Sequence, residues 1–111
     1  MPDIPERDWK LLRELAPVAL NRFCEQILRE AAAIAADTTA TPHERYGRLF
    51  DLIKQQDREV AIMFDDHRRS TAFLKIIGIH VRKMFTEEEF ARFSEETRQK
   101  VLDSESIWAS A

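Results

Sequence analysis

The sequence predicts an all-α fold of about five helices, packed as a compact bundle-like or orthogonal single domain. Three observations carry this. Glycine is nearly absent, with 2 in 111 residues, so the sharp backbone turns of hairpins and phosphate-cradling loops have little to be built from. Apolar residues recur at helical spacing along most of the chain. Threonine-led capping boxes mark helix starts. At 111 residues one domain is the default, expected over 1–103, with 104–111 as a C-terminal tail.

The first helix is expected over about 5–15. Asp3 reads as its cap, Pro5 as the first helical residue and Glu6 as the returning carboxylate, with Trp9, Leu12 and Leu15 inward. Pro17 cannot donate a backbone hydrogen bond and disfavours helix at Ala16, so a second helix is expected to begin there and run to about 36. Its stripe is Leu20, Phe23, Cys24, Ile27, Leu28, Ala31, Ile34 and Ala35. Thr41-Pro42-His43-Glu44 then supplies cap, first-position proline and returning glutamate for a third helix.

No glycine or proline follows between Gly47 and Gly78, yet a straight helix over 42–85 would be about 66 Å long. The phase of the apolar pattern resolves this. With Tyr46 at 0°, Leu49, Phe50, Ile53, Val60 and Phe64 fall within about 60°. On the same wheel Phe73, Ile76, Ile77, His80 and Met84 cluster near 180°. The face changes sides, so a break at Asp65-Asp66-His67 is expected, with helices over about 42–64 and 68–85. The alternative is one unbroken helix in an elongated dimer. Thr86-Glu87-Glu88-Glu89 opens a fifth helix carrying Phe90 and Phe93, with Ser94 either capping a further turn or lying within it. The tail from Asp103 is expected to fray, although Ile107 and Trp108 suit docking onto the body or a second chain.

Candidate site residues follow from misfits in these patterns. Asp57 sits at about 20° on the third helix's wheel, inside the apolar stripe, where an arginine, a helix end or solvent at the rim would satisfy the carboxylate, or a small pocket would hold it. His80 occupies the centre of the next helix's apolar face, as a core histidine or as a proton donor or ligand. Asp57 and His80 together would make a small binding or enzymatic pocket if they met. Asp65, Asp66, His67, Arg68 and Arg69 form the densest polar cluster, either a solvated surface or caps, or an arginine-bearing recognition surface.

Other chemistry is disfavoured. His43, His67 and His80 lie in no H-x-x-x-H or E-x-x-H spacing, so no metal and no cofactor are expected. Cys24 lies on an apolar stripe and reads as a small buried hydrophobe. As the single cysteine it cannot form an internal disulfide, and the acidic, proline-bearing opening is unlike a signal peptide, so the setting expected is cytoplasmic. The longest apolar run, Ala31 to Ala36, is six residues, so no membrane partner is expected.

The function expected is a small intracellular interaction or regulatory module without catalysis, bound to a protein partner or self-associating as a homodimer. Arginine outnumbers lysine 12 to 5, which suits planar ion pairs and interfaces. A DNA-binding regulator using Arg68 and Arg69 ranks second. The net charge of -3, a linking turn without glycine and an apolar would-be recognition helix count against it.

Overall fold

The longest helix passes straight through a proline. A computed structural model describes residues 4–65 and 68–110, with side chains in the last helix through Ser106. The described residues form five α-helices, one 3-10 turn and no strand. Helix α1 runs Glu6–Ala36 with Pro17 inside it. The expected new start at Pro17 does not occur, nor does an end to the first helix near residue 15.

Burial explains why. Leu12, Leu15, Ala16, Ala19 and Phe23 are all buried and lie on one stripe across the proline. Pro17 itself is exposed, so its ring and the missing hydrogen bond fall on the solvent side. Interrupting the helix would throw the two halves of the stripe out of phase. Packing therefore outweighs a penalty of about 3 kcal/mol.

Helix α2 spans Pro42–Phe64, and its capping box is formed as its sequence implies. The Glu44 N–H donates to Thr41 Oγ1 at 3.1 Å, and the Thr41 N–H donates to Glu44 Oε1 at 3.1 Å. It lies antiparallel to α1 as a long hairpin, and Arg45 Nη1 donates to the Ala35 carbonyl at 2.7 Å near the tip. The hairpin gives the molecule its length: extents are 51 × 31 × 24 Å, with α1 alone about 46 Å long.

The break between α2 and the next helix is where the phase change put it. Helix α2 ends at Phe64, and the Asp65 N–H closes on the Ala61 carbonyl. Asp66 and His67 lie outside the described residues. A 3-10 turn over Arg69–Thr71 leads into α3, Ala72–Val81. The expected helix over 68–85 is thus shorter at both ends. It packs on α1, α2 and α5, and buries Ala72, Ile76, Gly78 and Ile79.

Helix α3 closes in a Schellman motif. The Lys83 N–H donates to the His80 carbonyl at 2.9 Å and the Met84 N–H to the Ile79 carbonyl at 3.1 Å. This places Lys83 at φ 62°, the left-handed region that disfavours a side chain. Lys83 is exposed, so glycine there removes strain without removing packing. Lys83→Gly is expected to stabilise the fold by about 1 kcal/mol, raising Tm by roughly 4–8 °C. A thermal melt followed by circular dichroism checks it, and an unchanged or lower Tm refutes it.

The segment after Thr86 is two helices. Helix α4 covers Glu87–Ala91 with a complete capping box from Thr86 and Glu89. Helix α5 covers Glu95–Ser110, with Ser94 Oγ accepting from the Thr97 N–H at 3.3 Å. It continues past Asp103 to Ser110, rather than fraying there. The side chains of Ile107 and Trp108, expected as docking groups, lie outside those described. The core is shared by Leu12, Leu15 and Phe23 of α1, Met63 of α2, Ile76 and Ile79 of α3, and Phe93 and Val101 near and in α5.

Candidate interaction surface

The apolar stripe of α2 only partly coincides with the face that α2 buries. Met63 is buried, and Leu49, Leu52, Gln56 and Val60 are half-buried. These cluster near 280° on the wheel that has Tyr46 at 0°, about 70° from the centre of the stripe. One edge of the stripe is therefore turned to solvent. Tyr46 is 65% exposed, Phe50 58% and Ile53 47%, and Leu28 of α1 adds 62%.

Asp57 sits on this open face. It is exposed, so of the alternatives the sequence left open, solvent at the rim of the stripe satisfies the carboxylate. The stripe around it is real but faces water. Asp57 lines a shallow groove with Cys24, Ile27 and Leu28 on one side and Ile53 and Val60 on the other. Cys24 is only half-buried, which departs from the buried position its stripe implied.

His80 lies in a different part of the molecule. Its ring stacks on Phe90 at 3.9 Å between centroids, tilted 30°. Its Nδ1 is hydrogen-bonded to the Glu105 carboxylate, tying α3 to α5. His80 is half-buried rather than central to the core. It borders a groove with Phe85, Phe90, Arg98 and Leu102. The structure does not bring Asp57 and His80 together.

The arginines are largely spent inside the fold. The last carbonyls of a helix lack intrahelical partners, and here long cationic side chains supply donors to helix ends and turns. Arg22 reaches the Met84 carbonyl and also pairs with Glu89, with Nη1 at 2.9 Å and Nη2 at 3.3 Å from the two oxygens. That guanidinium, with the Thr86 N–H, holds the Glu89 carboxyl below the usual carboxylate range. Arg82 bonds the Gly78 carbonyl at 2.8 Å and pairs with Glu59. Lys75 Nζ donates to the Ile62 carbonyl at 2.5 Å.

Arg69 belongs to the same pattern, donating to the Ile4 carbonyl at 3.2 Å. Arg68 is exposed, with its N–H donating to Thr71 Oγ1 at 3.3 Å. Asp65, the residue that follows α2, is exposed. Helix α3, which a helix-turn-helix would lay in a major groove, is instead packed between α1, α2 and α5.

The most enclosed polar cluster was not read from the sequence. Asp8 is fully buried. It accepts the Ser94 N–H at 2.9 Å, the Ser94 hydroxyl at 2.6 Å and the Thr97 hydroxyl at 2.5 Å. The signal was present: Asp8 lies about 40° from Leu12 on the wheel of α1, within its stripe. Its three donors satisfy it, so the cluster ties α1 to the start of α5. Among the described residues no group of His, Cys, Asp and Glu is placed to hold a metal ion, and no helix is long and apolar enough to cross a membrane. No family model, curated protein or solved structure matches this chain.

Proposed function

We propose that this chain is a small, non-catalytic interaction module of the cytoplasm that self-associates through the open face of its α1–α2 hairpin. The observation that carries the reading is the exposure of Leu28, Tyr46, Phe50 and Ile53 on one side of that hairpin. Two helices cannot enclose an apolar surface between them and leave both outer sides polar when the stripe on one is this wide. A second hairpin laid across the face would complete a four-helix layer.

The area supports a dimer of modest strength. Four large side chains about half to two-thirds exposed leave on the order of 500 Å² per protomer. A pair would bury about 1,000 Å², near the lower bound for a specific interface. The dimer should accordingly form with rising concentration rather than be permanent. The cytoplasmic setting rests on the lone thiol of Cys24, which has no internal cysteine to pair with.

Sedimentation equilibrium over a wide concentration range tests this. The native chain is expected to pass from monomer to dimer mass. Phe50→Glu places two like charges across a symmetric contact and should weaken association at least tenfold, with the helical signal unchanged because Phe50 is exposed. A strictly monomeric native chain at its solubility limit overturns the proposal.

A further inference from the structure

The open face of α2 is self-complementary about a point between residues 51 and 52. Its outward positions are Tyr46, Phe50, Ile53 and Asp57, spaced four, three and four, the spacing of a helix-helix seam. Reversing the helix about that midpoint exchanges Phe50 with Ile53 and Tyr46 with Asp57. An antiparallel second copy therefore sets the two apolar residues against each other. It also sets a phenol, which donates, against a carboxylate, which accepts.

Both polar groups are available for such a bond. Among the described residues neither the Tyr46 hydroxyl nor the Asp57 carboxylate has a hydrogen-bond partner within the chain. A parallel copy would instead stack Asp57 on Asp57 in an apolar seam, which is unfavourable.

Gly47 adds an independent observation. It lies inside α2, where glycine weakens a helix relative to alanine. A Cβ built there meets nothing within 4 Å, and its φ is not positive. Among the described residues nothing requires glycine at this position. It lies about 100° from Tyr46, at the edge of the open face, where the missing side chain would let a second helix approach closely.

We infer that two copies of this chain pair antiparallel along α2, with Tyr46 of each donating to Asp57 of the other and Phe50 packed on Ile53. This rests on the self-association proposed above and specifies its geometry. Asp57 acts as the register-setting polar residue of the seam, the use best attested for a polar group in such a position.

Disulfide trapping decides the orientation. In a Cys24→Ser background, chains carrying Tyr46→Cys are mixed with chains carrying Asp57→Cys and oxidised gently. An antiparallel pair gives the mixed disulfide. Two copies of position 46 would be about 16 Å apart along the seam, beyond the roughly 7 Å that a disulfide spans. Predominant homodisulfides overturn the orientation while leaving self-association intact.

Tyr46→Phe removes only the hydroxyl and should weaken the native dimer about tenfold, because two equivalent bonds are lost. An unchanged dissociation constant overturns the Tyr46–Asp57 bond. Gly47→Ala should raise the monomer's Tm and weaken the dimer, and a dimer unaffected by it overturns the close approach. A native chain that stays monomeric would instead refute the earlier reading, so the two failures are distinct.

Discussion

Asp8→Ala is expected to lower the unfolding free energy by about 3–5 kcal/mol, a large share of the roughly 5–15 kcal/mol that holds a domain folded. The carboxylate is fully buried and accepts three hydrogen bonds from Ser94 and Thr97. Alanine leaves those donors facing an apolar gap, each at a cost of about 1–3 kcal/mol if unpaired. Arg7 is a weak electrostatic partner. Its Nε is 3.9 Å away and its side chain is 68% exposed, so solvent screens it. What satisfies the carboxylate is the turn that opens α5, through the Ser94 N–H and the hydroxyls of Ser94 and Thr97. Asp8→Asn keeps the shape and one acceptor oxygen but turns an NH2 group toward hydroxyl donors, so a smaller loss of about 2 kcal/mol is expected. Urea unfolding at neutral pH measures both. A loss below about 1 kcal/mol for Asp8→Ala would show that water enters the site and that the cluster does not bind the chain's ends.

Asp8 and Asp57 show what a wheel can and cannot reveal. Each lies in an apolar stripe, yet one is fully buried and the other exposed. Local pattern gives the stripe; it does not say which arc of a wide stripe meets a neighbour. That depends on how α2 rolls against α1, a choice made by Met63, Val60 and Leu49 together. The end of α2 after Phe64 was legible because the apolar pattern reverses phase beyond it. The boxes at Thr41 and Thr86 were legible because each cap closes within four residues. Pro17 misled because the local cost of proline is outweighed by packing from distant helices. The turn at Lys83 had no glycine to announce it, and tertiary contacts of Met84 and Ile79 impose it. The arginine excess was visible, but its use on carbonyls such as those of Ala35, Gly78 and Ile4 depends on which helix ends come near.

Phe93→Ala should cost about 3–5 kcal/mol, the range for removing a buried aromatic ring. Phe93 is 1% exposed and is among the largest fully buried side chains. Its ring lies 5.5 Å from Phe85 at 59° and 6.2 Å from Phe90 at 55°, tilted contacts worth about 0.5–1.5 kcal/mol each beyond area burial. The effect should spread in a defined direction. Phe90 is also the platform on which His80 stacks, so losing Phe93 loosens the His80–Phe90 contact and the tie to Glu105. The His80 ring protons should shift toward unstacked values in an NMR spectrum of the folded variant. Phe93→Leu refills most of the space and should cost less, about 1–2 kcal/mol, with a smaller His80 shift. Because Phe93 adjoins Ser94, its loss and that of the Asp8 cluster should couple. In a cycle built from the milder Asp8→Asn and Phe93→Leu, the double variant should lose less than the sum by about 0.5 kcal/mol or more. Strict additivity would mean that the aromatic cluster and the buried carboxylate anchor the start of α5 independently, and the view of that corner as one cooperative unit would fail.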